Sequence, residues 1–305
     1  KKYISANKFS GLEEESLLLH NESGEIDKAI VGLGKNDLES PWTYSGLLKF
    51  LPPDAWKLCG SFSSVQIKMA LLGSILDGYR FNNKKDIFKK YLYMPMDIDC
   101  TDTINQAAAI FFGRDLINLP ASDLNTEFLE KICKDFALFH NAKIKIISGE
   151  KLLDKNYPAI YAVGKASVSK PKLIDFRWCG KQEGKTICLV GKGVCFDSGG
   201  LNIKSSQNMR LMKKDMGGAA TVLSLAHMIM SAKLPINLRL LIPAVENSIS
   251  GNSIRPGDVI HTRSKNTVEV LDTDAEGRLI LCDALYEADS DLILNYGSPR
   301  EENSF

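Results

Sequence analysis

The chain has 305 residues, 44% of them hydrophobic and 25% charged, with a formal net charge of +1. That length predicts about two domains with sizeable cores. The near-cancellation of basic by acidic residues excludes a general nucleic-acid or membrane-surface footprint. Seven cysteines (Cys59, Cys100, Cys133, Cys179, Cys188, Cys195 and Cys282) are odd in number and scattered, and none forms a CxxC pair. This predicts free thiols in a reducing compartment. The first residues lead into no signal core, and the longest apolar runs, such as 107–112, are too short to span a bilayer. The expected location is the cytoplasm.

Residues 1 to about 95 are weakly patterned. Residues 29–31 read as a short strand, 65–79 as a helix by the spacing of their apolar residues, and 82–86 as a polar turn. No tight cluster of ionisable groups falls in this part, so residues 1–98 are expected to form a small accessory domain. A helix over 102–118, broken by Leu119-Pro-Ala-Ser122, and a second over 125–140 open the next domain, placed at 99–305. From residue 142 strands and helices alternate. Strands are expected at 143–147, 172–177, 186–190, 238–243, 268–271 and 292–295, and helices at 219–233 and 277–288. The expected fold class is α/β, a small N-terminal α/β domain followed by a larger one with a mostly parallel or mixed sheet flanked by helices. In such sheets ligands bind beyond the carboxyl ends of the strands.

Three dense clusters lie in the second part: Gly191-Lys-Gly-Val-Cys-Phe-Asp-Ser-Gly-Gly200, Met212-Lys-Lys-Asp-Met-Gly-Gly218 and Thr273-Asp-Ala-Glu-Gly-Arg278. Each sets charged side chains beside glycines where an apolar run meets a turn. Carboxylates at such junctions suit a hard-cation site on a rigid scaffold. Each cluster also has a plain structural reading. Thr273 and Glu276 fit a capping box, Asp197 an Asp turn and Asp215 a helix cap. Lys192, Lys204 and Arg278 taken singly read as surface residues. The plain account must hold independently at five or six positions, and that joint requirement weakens it.

Other chemistries fail on spacing or context. Gly180-Lys-Gln-Glu-Gly-Lys-Thr186 is one residue short of a phosphate loop and precedes a strand instead of following one. Gly191-Lys-Gly193 lacks the third glycine of a dinucleotide turn. His20, His140, His227 and His261 are isolated in the sequence, so no HExxH zinc site exists, and there is no GxSxG elbow.

The three clusters in this order, with Lys204, Pro243-Ala-Val-Glu-Asn-Ser-Ile-Ser-Gly251 and Arg255-Pro-Gly-Asp258, resemble the M17 leucyl aminopeptidase family over roughly residues 65–295. The resemblance implies a two-metal exopeptidase that removes leucine-like N-terminal residues from peptides, assembled as a homohexamer. It implies that Asp197 and Glu276 bridge two divalent cations, that Asp274 completes one, and that Asp215 and the neutral amine of Lys192 complete the other. It further implies that Lys204 stabilises an oxyanion and that Arg278 holds a bicarbonate ion acting as general base. The metals would be manganese or zinc, with magnesium or cobalt also compatible with these donors. Cys195 and Asp272 stand where the family usually has Thr and Asn, both off the ligand positions. After Tyr296 the sequence departs from the family pattern into a polar tail, Gly297-Ser-Pro-Arg-Glu-Glu-Asn-Ser-Phe305. That departure is expected to mark a C-terminally truncated or frame-altered chain. The alternative expectation is therefore a catalytically inactive product that binds metal or a partner.

Overall fold

The computed structural model describes residues 2–82, 90–93, 97–181 and 185–296. Most of the expected 82–86 turn, the centre of the rejected phosphate-loop segment and the tail from Gly297 lie outside the described residues. The chain divides into two compact units, Lys1–Phe111 and Phe112–Phe305.

The first unit holds α1 (Lys2–Ala6), an antiparallel hairpin of β1 (Ser16–His20) and β2 (Ile26–Val31), a parallel pair of β3 (Ala55–Lys57) and β4 (Tyr91–Tyr93), and α2 (Ser64–Asp77). The start of α2 is fixed by a capping box. Ser63 Oγ accepts from the Gln66 amide, and the Ser63 amide donates back to Gln66 Oε1 at 3.0 Å. Leu72 and Leu76 of α2 pack with Ala107 of α3 (Thr101–Asn118).

The second unit is a three-layer sandwich built from the end of α3 onward. Its elements are α4 (Thr126–Phe139), β5 (Lys143–Ser148), α5 (Lys151–Asp154), α6 (Pro158–Gly164), β6 (Lys172–Cys179), β7 (Thr186–Val190), β8 (Gly193–Asp197), α7 (Ser206–Met209), α8 (Gly217–Ser231), β9 (Asn237–Asn247), β10 (Val259–His261), β11 (Thr267–Glu269) and α9 (Glu276–Tyr296). The sheet is mixed. β5 and β9 flank β6 antiparallel, while β7 and β8 both run parallel to β9 along successive stretches of it. Side-chain alternation along β9 separates two cores. Leu238, Leu240 and Ile242 join Leu129, Phe136, Ala219 and Leu223 on the α4/α8 face. Leu241 and Val245 join Ile160, Ile280 and Ala284 on the α6/α9 face.

Most of the expected elements of this half are present. The expected strand at 292–295 is instead the last turn of α9, whose backbone runs unbroken to Tyr296. No Gly or Pro separates that apolar run from the helix before it, and a run of four cannot signal its own period. The isolation of the histidines also fails in three dimensions. His140 Nε2 lies 2.8 Å from His227 Nδ1, joining the end of α4 to α8 across 87 residues of sequence.

Two polar networks fix α9 against the sheet. Arg239, fully buried on β9, donates to both Asp175 oxygens at 3.0 and 2.6 Å and to Glu287 of α9 at 2.8 Å. Asp283, also fully buried, accepts from the Ala159 and Ile160 amides at the start of α6 and from the Arg263 amide. With α9 held at both positions, its first residue, Glu276, is placed at the carboxyl end of the sheet.

Candidate active site

Six of the seven predicted side chains meet at that edge. Lys192 lies between β7 and β8, and Asp197 is the last residue of β8. Asp215 sits in a 3-10 turn, Met212–Met216, that leads directly into α8. Asp274 sits in a second such turn, Thr273–Ala275, that leads into α9. Lys204 reaches in from the loop after β8. This is the position expected for a ligand site in a sheet with parallel strands.

Two lysines bridge four carboxylates. Lys192 Nζ lies 3.0 and 2.9 Å from the Asp215 oxygens and 2.8 Å from Glu276 Oε1. Lys204 Nζ lies 2.9 Å from Asp197 Oδ2 and also pairs with Asp274 Oδ1. Burial opposes the charge on each lysine, but their carboxylate partners outweigh it and hold both pKa values above the ordinary lysine range. Asp197, Asp215 and Glu276 each present an oxygen within 4.8 Å of the others.

Glu276 is the unusual member. It is only 1% exposed; the Lys192 ammonium, 2.8 Å from Oε1, is its close partner, and Oε2 has no hydrogen-bond partner among the described residues. Burial first, and then the charges of Asp197 and Asp215, push its carboxyl up to about 7 against the pull of Lys192. A buried carboxylate with an unpartnered oxygen is costly unless something else compensates it.

This donor set fits divalent cations. Four carboxylates against two ammonium groups leave excess negative charge, the oxygens are hard donors, and those of Asp197, Asp215 and Glu276 lie about as close as the donors of one coordination sphere. For Lys192 to act as a ligand it must lose its proton, which adjacent cations favour.

The plain structural readings fare unevenly. The capping box at Thr273 is absent. Asp272 instead caps the turn by accepting from the Asp274 amide at 2.9 Å, while Thr273 is buried and donates to the Gly199 carbonyl at 2.6 Å. Asp215 makes no cap hydrogen bond to α8, whose N-cap is Met216. The Asp turn at Asp197 is present, with the Gly199 amide donating to Oδ1 at 2.9 Å. That oxygen also accepts from Asn247 Nδ2 at 2.8 Å. Arg278 lies two residues beyond Glu276 on the first turn of α9, exposed, and pairs with none of the four carboxylates among the described residues.

The glycines of the motifs clear space for Lys192. A Cβ on Gly277 would lie 2.7 Å from Lys192 Cε and Nζ, and one on Gly218 2.8 Å from the Lys192 amide nitrogen. Asn202 and Asn247, which organise the loops, were not singled out from the sequence. Neither belongs to an acidic cluster, and their partners lie 71 and 50 residues away.

Comparison with known proteins agrees with this architecture. The profile of the cytosol aminopeptidase family catalytic domain matches residues 111–297, and that of the M17 aminopeptidase N-terminal domain matches residues 1–95. A probable cytosol aminopeptidase of Roseiflexus castenholzii is 37% identical over 229 residues, covering 70% of this chain and 47% of the relative. One of Stenotrophomonas maltophilia is 42% identical over 180 residues, covering 59% and 37%. The chain thus spans about half or less of the length of the curated relatives it matches. Among solved structures, the cytosol aminopeptidase of Coxiella burnetii superposes with a TM-score of 0.88 at 42% identity, covering 95% of this chain and 63% of that one. The bottromycin maturation enzyme BotP in complex with Mn superposes with a TM-score of 0.83 at 25% identity, covering 94% and 66%. On the match of both domain profiles, the chain belongs to the cytosol aminopeptidase family, peptidase family M17.

Proposed function

We propose that this chain carries the site of a two-metal aminopeptidase that removes leucine-like N-terminal residues from peptides. The observation that carries the reading is Glu276, a buried carboxylate with Lys192 as its one close cation and its second oxygen unpartnered among the described residues, set among three further carboxylates and two lysines. In this reading Asp197, Asp215, Asp274, Glu276 and the neutral amine of Lys192 would hold two divalent cations, with Asp197 and Glu276 shared between them. Manganese or zinc is the first choice of metal, with magnesium or cobalt admitted by the same donors. When bound, such a pair polarises the scissile carbonyl and supplies a water-derived nucleophile at neutral pH.

The protein's own residues do the rest. Lys204, whose pKa stands above the ordinary range, keeps its proton at neutral pH and offers a fixed positive charge to the oxyanion that forms as the carbonyl is attacked. Arg278 presents a planar donor fork on the first turn of α9, suited to hold a bicarbonate ion as general base. Residues 99–305 carry this chemistry and 1–98 are accessory. The working form is a cytoplasmic homohexamer.

Release of leucine from leucinamide, with manganese or zinc supplied and then chelated, tests the proposal. Turnover should require the metal and vanish in Asp197→Ala. In Lys204→Ala, kcat should fall by about 10²–10³-fold. Turnover that survives chelation would overturn the metal assignment. Full activity in Lys204→Ala would overturn the oxyanion role.

A further inference from the structure

We infer that Asn247 is a positioning residue that fixes the carboxylate of Asp197 and ties it to the turn carrying Asp274 and Glu276. The inference rests on the metal site proposed above. Asn247 is the last residue of β9 and is 2% exposed. In the parallel ladder it stands opposite Asp197, the last residue of β8. Its main-chain carbonyl accepts from the Ser198 amide at 3.1 Å and from Ser198 Oγ at 2.7 Å, locking the chain immediately after Asp197. Its side-chain amide donates to Asp197 Oδ1 at 2.8 Å and to the Thr273 carbonyl at 3.0 Å. Both partners are acceptors only, so the orientation of the amide is settled by its neighbours: nitrogen, not oxygen, must face them.

The consequence concerns which oxygen of Asp197 is free to serve the site. Oδ1 already accepts from Gly199 and Asn247. Oδ2 faces the cluster and lies 2.9 Å from Lys204 Nζ. Two donors on one oxygen stop rotation of the carboxylate about its final torsion and aim Oδ2 inward. The second bond of the same NH₂ group draws in the Thr273 carbonyl. Thr273 is itself held by Oγ1 donating to Gly199 and by paired bonds with Asn202, whose amide donates to Thr273 Oγ1 at 2.8 Å and whose Oδ1 accepts from the Thr273 amide at 2.9 Å. Asn247 thus stands where the β8 end and the turn before α9 meet, and these two segments carry Asp197, Asp274 and Glu276. The glycine at position 200 fits the same arrangement. It has φ +64°, and a Cβ there would lie 2.9 Å from Thr273 Oγ1 and 3.0 Å from Asn247 Oδ1. Residues that orient a ligating carboxylate through hydrogen bonds commonly govern metal affinity by 10–100-fold.

The test is manganese affinity measured by calorimetry on Asn247→Ala and Asn247→Asp, with the thermal transition of each metal-free variant recorded beside it. Asn247→Asp keeps the shape but removes the donor. Thr262→Val serves as the control, since it removes a hydroxyl of similar burial, bonded to the Asn266 carbonyl at 3.1 Å, outside the cluster. Both Asn247 variants should bind manganese about 10–100-fold more weakly at a temperature where they remain folded. Thr262→Val should bind like the wild type even if its transition falls equally. Wild-type affinity in folded Asn247 variants, or an equal loss in Thr262→Val, overturns the inference while leaving the proposed function standing. A wild-type chain that binds neither manganese nor zinc overturns both.

Discussion

Replacing Glu276 by glutamine should make the metal-free protein more stable, although it removes a group at the centre of the site. In the fold the carboxyl is buried and faces Asp197 and Asp215; burial first, and then those two charges, raise it from the ordinary 4.5 to about 7 against the pull of Lys192. A carboxyl whose folded pKa is raised lets the folded state hold its proton longer than the unfolded chain does. Its contribution is therefore fully favourable below about 4.5 and is lost as pH rises through about 7. The rise corresponds to about 3 kcal/mol at pH 8. Glutamine, which is neutral at every pH, escapes this penalty. In chelator, the thermal transition of the unit containing residue 276 should rise by roughly 6–12 °C in Glu276→Gln at pH 8. The gain should shrink towards zero near pH 4.5. Saturating manganese should reverse the order, because a ligand stabilises only the chain that binds it. A variant less stable than the wild type at pH 8 in chelator, or a gain that does not change with pH, would refute this account of the buried carboxylate.

Other substitutions probe the rest of the structure. Gly277→Ala places a methyl 2.7 Å from Lys192 Nζ, whose flexible stem can give way. Manganese affinity should fall by about tenfold, as for other disturbances of a metal's surroundings, with little change in the thermal transition. Arg239→Met removes the two-bond partner of Asp175 and leaves Glu287 to Arg263, and urea unfolding should show a loss of about 3 kcal/mol, the low end of the cost of breaking a buried ion pair from one side. Burial first, and then His227, lower His140 to about 4. An NMR titration should find its imidazole neutral down to about that pH, and any stability it contributes should be lost as pH falls from the ordinary histidine range through about 4. In His227→Ala the His140 titration should move back towards the ordinary range.

The site was legible in the sequence to the extent that its chemistry is local. Asp197, Asp215 and Glu276 each stand beside the glycines that let backbone approach, so three short stretches displayed both the ligands and the space they need. Elements of clear period were legible for the same reason, as with α2, α4 and α8. What stayed hidden depends on distant partners. Asn247 reads as one polar residue closing an apolar strand, and only the β8–β9 ladder brings it to Asp197. The histidine pair is formed by helices 87 residues apart in sequence. The run at 292–295 shows the reverse limit, since four apolar or neutral residues satisfy a strand and a helix end equally well until the preceding helix is seen to continue. Thr273 was legible as a special position but for the wrong reason: the capping pattern is in the letters, while its actual partners, Gly199 and Asn202, lie more than seventy residues upstream.

These observations share one physical logic. The sheet and α9 are held by ordinary means, two apolar cores and two polar networks around Arg239 and Asp283. The rigidity so obtained is spent on a cluster that works against folding, with four carboxylates crowded at one sheet edge and one of them buried and held above the usual carboxylate range. Helix N-termini ease that crowding, since Asp215 stands next to the N-cap of α8 and Glu276 opens α9, where backbone dipoles favour negative charge. The two lysines ease it further. Neither device fully offsets the burial of Glu276, and a local conflict left standing in this way is the mark of a site shaped for a ligand. The same argument explains why Asn247 matters. In a cluster whose charges repel, a carboxylate that is not held will turn away from its neighbours, so the donors that fix Asp197 maintain the very arrangement that repulsion among the acids would otherwise dissolve.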